Sequence, residues 1–236
     1  MRHTIKSLSS WLKGENVRYE ETPFEDRKDA GRQLAERLAG YGDENPIILA
    51  LPRGGVPVGY EIACALEAPL DIFIARKLGA PGRRELGIGA VAQGGLRVLN
   101  ERIVQALGVS EEYIERVAAK EMAEIERRLH LLRSDRPELE VRGRTVILVD
   151  DGLATGVTAC AAIRALRQRA PRRLVLAVPV CALQTVETIR SEVDDLVCLK
   201  IPSDLMAIGF WYLNFEQVPD EEVIKLLEGA RRAITE

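Results

Sequence analysis

The chain is poor in aromatics, histidine and cysteine, and it contains no long apolar run. Only 5% of its 236 residues are aromatic, so any cluster of rings stands out. Cys64, Cys160, Cys181 and Cys198 are widely spaced with no Cys-x-x-Cys pair, and His3 and His130 are remote from them in sequence. This excludes a disulfide framework and argues against metal ligation, leaving buried thiols in a reducing compartment. Residues 47–51 are apolar but far too few to cross a bilayer, and the N-terminus lacks the apolar segment of a signal peptide. A net charge of −3 supplies no basic excess for duplex nucleic acid. The expectation is a cytoplasmic protein with neither a membrane nor a nucleic-acid partner.

What remains is ordinary for a globular chain: 47% hydrophobic, 29% charged, and long enough for one large domain. The informative stretch is residues 145–158, TVILVDDGLATGVT. Its first five residues are mostly β-branched and almost wholly apolar, as in a strand buried on both faces of a parallel sheet. Two carboxylates follow, Asp150 and Asp151, then the small-residue loop Gly152, Leu153, Ala154, Thr155, Gly156, Val157 and Thr158, then an Ala-rich helical segment.

Each part suits a sugar phosphate. Gly152 and Gly156 let the main chain approach an anion, and the first free N–H groups of the next helix point the same way. Thr155 and Thr158 add hydroxyl donors. The two carboxylates repel a phosphate but accept from neighbouring hydroxyls, such as a ribose 2′ and 3′ pair. No Gly-Lys-Ser/Thr follows the glycines and the Gly-x-Gly-x-x-Gly spacing is missing, which excludes a Walker loop and a dinucleotide fingerprint.

The string VILVDDGLATGVT resembles the phosphoribosyl diphosphate (PRPP) binding motif of the type I phosphoribosyltransferases. The resemblance implies that Asp150 and Asp151 take the ribose hydroxyls and that residues 152–158 wrap the 5′-phosphate. A second segment, LPRGG at 51–55, is similar to the Ala-Arg-Gly-Phe segment of adenine phosphoribosyltransferases and makes Arg53, Gly54 and Gly55 candidates for pyrophosphate. A strand end carrying a Gly pair and an Arg fork suits a diphosphate in its own right.

The rest of the chain alternates. Residues 27–40 read as an amphipathic helix, 46–51 as a strand, 58–66 as a helix and 70–75 as a strand that delivers Arg76 and Lys77, two further pyrophosphate candidates. Residues 78–95 are Gly-rich and charged, and read as a mobile loop or loose hairpin of the kind used as a lid, carrying Arg83, Arg84 and Glu85. A long helix capped by Ser110 precedes the central motif, and strands at 173–180 and 195–201 follow it around a helix at 183–191. This order predicts an α/β fold with a doubly wound, mainly parallel sheet, and ligands beyond the carboxyl ends of its strands.

The whole chain reads as a single domain with a core at about 27–201 and a small hood at 202–236, to which residues 1–26, with Trp11 and Tyr19 as packing anchors, contribute. A final helix is expected to start near Asp220. The aromatic cluster Phe210, Trp211 and Tyr212 falls where the resemblance places a base-stacking hood.

The resemblance further implies transfer of ribose 5-phosphate from PRPP to a nitrogen of a base, with Mg²⁺ arriving on PRPP rather than in a protein cage, and a homodimer. The partners are then PRPP and a small-molecule base. The 6-oxopurine enzymes carry an Asp where this chain has Ala154, which leaves Glu85 in the lid as the candidate acid/base. A non-catalytic PRPP or nucleotide sensor on the same fold is the alternative.

Overall fold

The computed structural model describes residues 22–133 and 136–235; Trp11 and Tyr19 lie outside them, as do the side chains of Arg84 and Glu85. The described chain opens with helix α1 (Arg27–Leu38), whose N-cap Asp26 accepts from the Asp29 amide at 2.8 Å. It continues through β1 (Ile47–Ala50), α2 (Gly55–Ala65), β2 (Leu70–Ile72), β3 (Ala75–Ala80), β4 (Arg83–Ala92), β5 (Arg97–Leu99), α3 (Glu101–Ala106) and α4 (Glu111–Arg133). Then follow β6 (Thr145–Val149), α5 (Val157–Gln168), β7 (Arg173–Val180), α6 (Leu183–Ile189), β8 (Asp195–Lys200), a 3-10 turn (Ile208–Trp211) and α7 (Asp220–Thr235).

Among the described residues, β2, β1, β6, β7 and β8 form a five-stranded parallel sheet in that order, with β6 at its centre. Side chains alternate across a strand, and the core divides accordingly. Ile48, Ala50, Ile147, Val149, Val175 and Ala177 face a layer built with α1, α2, α4 and α7. Ile47, Leu49, Val146, Leu148, Leu174 and Leu176 face the opposite layer, where α5 supplies Ala159, Ala162, Ile163 and Leu166. Burial on both faces explains why these strands are continuous apolar runs.

Three local expectations need correction. The helix after β1 starts at Gly55 rather than at 58, because the Gly55 amide already bonds to Leu51 O at 3.0 Å. The strand predicted at 70–75 ends at Ile72. There the Phe73 amide bonds to Ala50 O at 3.0 Å and the Gln93 amide to Ile74 O at 2.7 Å, so the chain leaves the parallel sheet for an antiparallel one. Arg76 and Lys77 therefore lie inside β3 and not at a parallel strand's exit.

The run 78–95 takes the hairpin form of its expectation: β3 and β4 pair antiparallel, β5 adds a third strand, and Leu78 and Ile88 are fully buried. Gly82 and Gly95 sit in open turns at positive φ, whereas Gly89 serves close packing. A Cβ on Gly89 would lie 2.3 Å from Val98 O, so only glycine allows β5 this close.

Candidate functional site

The site forms where β1 and β6 end side by side. Asp150 and Asp151 leave β6, and the Asp150 carboxylate accepts from the Asp151 amide at 2.9 Å, which fixes the first acid against its own turn. The turn that follows β1 packs directly on the second acid: a Cβ on Gly54 would fall 1.9 Å from Asp151 Oδ2, and one on Gly55 2.7 Å from Val149 O. Two glycines predicted to face a diphosphate are thus also the reason that the Arg53 turn and the acidic pair touch. The Pro52–Arg53 peptide is cis. Arg53 itself is half-buried, with Nη1 3.7 Å from Asp220 Oδ1 at the start of α7.

The loop after the acids is braced from β7 and α6. Leu153 donates to Val180 O at 2.9 Å, Ala182 donates to Leu153 O at 3.0 Å, and the Thr185 hydroxyl donates to Ala154 O. Gly156 has φ +66 and stands as the N-cap of α5. A side chain there would be strained and would also lie 2.6 Å from Thr185 Cγ2. Ala154 and Thr155 are exposed between these braces. The result is a held loop that leads into the N-terminus of a 12-residue helix with no side chain capping it, an arrangement that offers amides to an anion.

The hood closes on the same acids. Ile208 lies over Gly152, where an added Cβ would be 2.6 Å from Ile208 Cγ2. Tyr212 is buried and donates its hydroxyl to Asp151 O at 2.6 Å. Burial, with the nearby Asp151 charge, pushes that phenol well above its ordinary value, so it stays a neutral donor. Arg27, at the start of α1, donates from Nε to Asp151 Oδ2 at 2.8 Å.

Burial pushes the Asp150 carboxyl well above the ordinary carboxylate range, and the neighbouring Asp151 charge pushes it further. Asp151 is raised by burial too, while Arg27 pulls it back down. Neighbouring acids with an arginine on the second of them offer oxygens to hydroxyl donors.

The structure therefore joins Asp150, Asp151, residues 152–158, the Arg53 turn and part of the hood. It separates the hood aromatics by role. Tyr212 is packed between Phe24 and Phe215, at centroid distances of 5.4 and 4.9 Å, and is no open platform. Trp211 is half-buried with Lys200 Nζ 5.8 Å from its ring, and Phe210 is 73% exposed.

Arg76 turns to Glu121 on α4 at 2.5 Å, while Lys77 and Arg83 are exposed on the hairpin. The proposed acid/base role of Glu85 and the lid role of Arg84 rest on side chains outside the described residues. Sequence reading missed Arg27, whose partner is 124 residues away; an arginine opening a helix carries no signal of its own.

A family model described as a phosphoribosyl transferase domain matches residues 24–213. The chain belongs to that family. The match takes in Arg27, the Arg53 turn, the acidic pair with its loop and the 3-10 turn of the hood, so the phosphoribosyl transferase domain and the site occupy the same residues.

A Mycobacterium tuberculosis protein, found in strains H37Rv and CDC 1551 and named "Putative phosphoribosyl transferase", is 42% identical over 213 residues, 90% of this chain. This chain spans about half the length of those relatives, 48%. The crystal structure of TT1426 from Thermus thermophilus is also 42% identical, with a TM-score of 0.75 over 87% of this chain and 97% of that one. Among the described residues no helix is long and apolar enough to cross a membrane.

Proposed function

We propose that this phosphoribosyl transferase domain moves ribose 5-phosphate from PRPP to a ring nitrogen of a nucleobase or related heterocycle and releases pyrophosphate. The observation that carries the reading is the seating of Gly54 on Asp151, which sets a diphosphate-type turn against diol-type acids. PRPP carries a diphosphate at C1 beside the 2′ and 3′ hydroxyls, and its 5′-phosphate lies at the other end of the sugar. The Arg53 turn, the Asp150 and Asp151 pair and the 152–158 loop follow the same order.

Three tasks fall to the chain's own residues. The loop amides and the N-terminus of α5 hold the 5′-phosphate, since aligned N–H groups and the helix dipole favour an anion there. The two carboxylates accept the ribose hydroxyls and fix the ring, so that C1 is presented in one orientation. Arg53 and the amides of its turn receive charge that builds on the departing pyrophosphate. Mg²⁺ prefers substrate oxygens and water and so travels with the donor, where it supplies further charge neutralisation.

The test is a reaction of the full chain with Mg²⁺, PRPP and a panel of purines, pyrimidines and related heterocycles, read as pyrophosphate release. Turnover on one base supports the transferase; PRPP binding in calorimetry with no release on any base would replace it with a PRPP sensor.

A further inference from the structure

One buried cation is left without a task in that account. Arg27 and Asp151 are only 11% and 14% exposed, and a second edge of the same guanidinium reaches the hood. There Nη1 donates to Glu216 O at 2.8 Å and Cζ lies 3.8 Å from the centroid of the Phe215 ring. Phe215 in turn stacks on Tyr212, whose hydroxyl returns to Asp151 O. The contacts close a circuit from Asp151 through Arg27, Phe215 and Tyr212 back to Asp151.

We propose that Arg27 is a positioning residue for the donor sugar: it sets the Asp151 carboxylate for the ribose hydroxyls and ties that carboxylate to residues 215–216 of the hood. The inference rests on the reading of Asp150 and Asp151 as ribose acceptors. Asp151 Oδ2 accepts from Arg27 and lies beside Gly54, so the carboxylate is held on that side.

A guanidinium suits this place better than an ammonium, because its planar fork reaches a carboxylate, a carbonyl and a ring face at once. Buried ion pairs are weak evidence for stability, as an apolar replacement of similar volume is often as stable. An arginine lodged on a ligand-facing acid is better explained by what it does to that acid. Its charge also opposes the upward push of burial on both carboxyls.

Calorimetry on the full chain tests the proposal with three ligands: PRPP with Mg²⁺, ribose 5-phosphate, and pyrophosphate with Mg²⁺. Arg27→Ala should weaken PRPP and ribose 5-phosphate alike, by about ten- to a hundredfold, the worth of one charge-assisted contact. It should leave pyrophosphate within about twofold, since that ligand makes no use of the diol acids. Arg27→Lys should recover part of the loss, and Phe215→Leu should lose about two- to fivefold with the same selectivity.

Unchanged affinity, or an equal loss for all three ligands, overturns the proposal and leaves Arg27 a packing residue. Should Arg27→Ala fail to fold, Arg27→Lys decides by the same selectivity. Wild-type chain that binds neither ribose ligand overturns the donor reading and this inference together, whereas an unselective loss in a chain that binds PRPP overturns the inference alone.

Discussion

The two rims of the parallel sheet treat charge in opposite ways. At the amino rim, where β6, β7 and β8 start, Glu44 is surrounded by partners. Arg173 Nη1 is 2.6 Å from its Oε1, Arg172 Nη2 is 3.1 Å from Oε2, and the Thr145 hydroxyl donates to Oε2 at 2.7 Å. Arg173 continues to Asp195 at 2.5 Å. The Thr145 hydrogen bond and the two arginines hold the Glu44 carboxyl below its ordinary value. At the carboxyl rim Arg27 meets the acidic pair through Asp151, and burial raises both carboxyls. One rim is neutralised within the chain; the other keeps acceptor capacity that ligand hydroxyls can fill.

The largest effect expected from this contrast is on binding. Asp150→Ala combined with Asp151→Ala should weaken PRPP about a hundredfold or more, as several charge-assisted hydrogen bonds are lost. Unchanged affinity in calorimetry would contradict the diol role. A change at the amino rim should do the reverse. Arg173→Ala should lower stability by about 1 kcal/mol in urea unfolding, since its pairs are part of a half-exposed network, and leave PRPP affinity untouched. A weakened affinity there would erase the distinction between the rims.

The smallest effect is a gain. The Asp150 carboxyl is raised in the folded chain above its ordinary 3.8, so its contribution favours folding at low pH and is lost as pH climbs through the raised value. Above that value the fold holds two desolvated charges side by side. Asp150→Asn keeps an oxygen for the Asp151 amide and removes one charge. Its melting temperature relative to wild type should therefore rise as pH climbs through the raised value, by about 2–4 °C in all, the shift that about 1 kcal/mol gives in a chain of this size. A difference that stays flat with pH would show that Asp150 is not strained by its neighbour.

Much of this was legible in the sequence, for a physical reason. Strands β1, β6 and β7 are buried on both faces, so they appear as apolar runs, and the acids stand out because they end one abruptly. The site's core followed from that: Asp150, Asp151, the 152–158 loop and the Arg53 turn meet at one rim. The hairpin was harder to read, because glycine marks both mobility and close approach; at Gly89 it is approach. Arg76 looked like a ligand-facing cation because β2 was read too long, and its Glu121 partner sits on a helix 45 residues away. Tyr212 and Phe210 are two residues apart, yet one is buried under the acids and the other faces outward, a distinction composition cannot carry.

The brace on the 152–158 loop has one more consequence. A trans peptide holds its carbonyl and the following N–H on opposite sides. The Ala154 carbonyl is taken by Thr185 on α6, so the Thr155 N–H is turned away from that helix. A hydroxyl on the neighbouring βα unit thus acts as the rudder of an amide it never touches, and under the proposed function the grip on a phosphate would be steered from a residue that need not meet the phosphate itself.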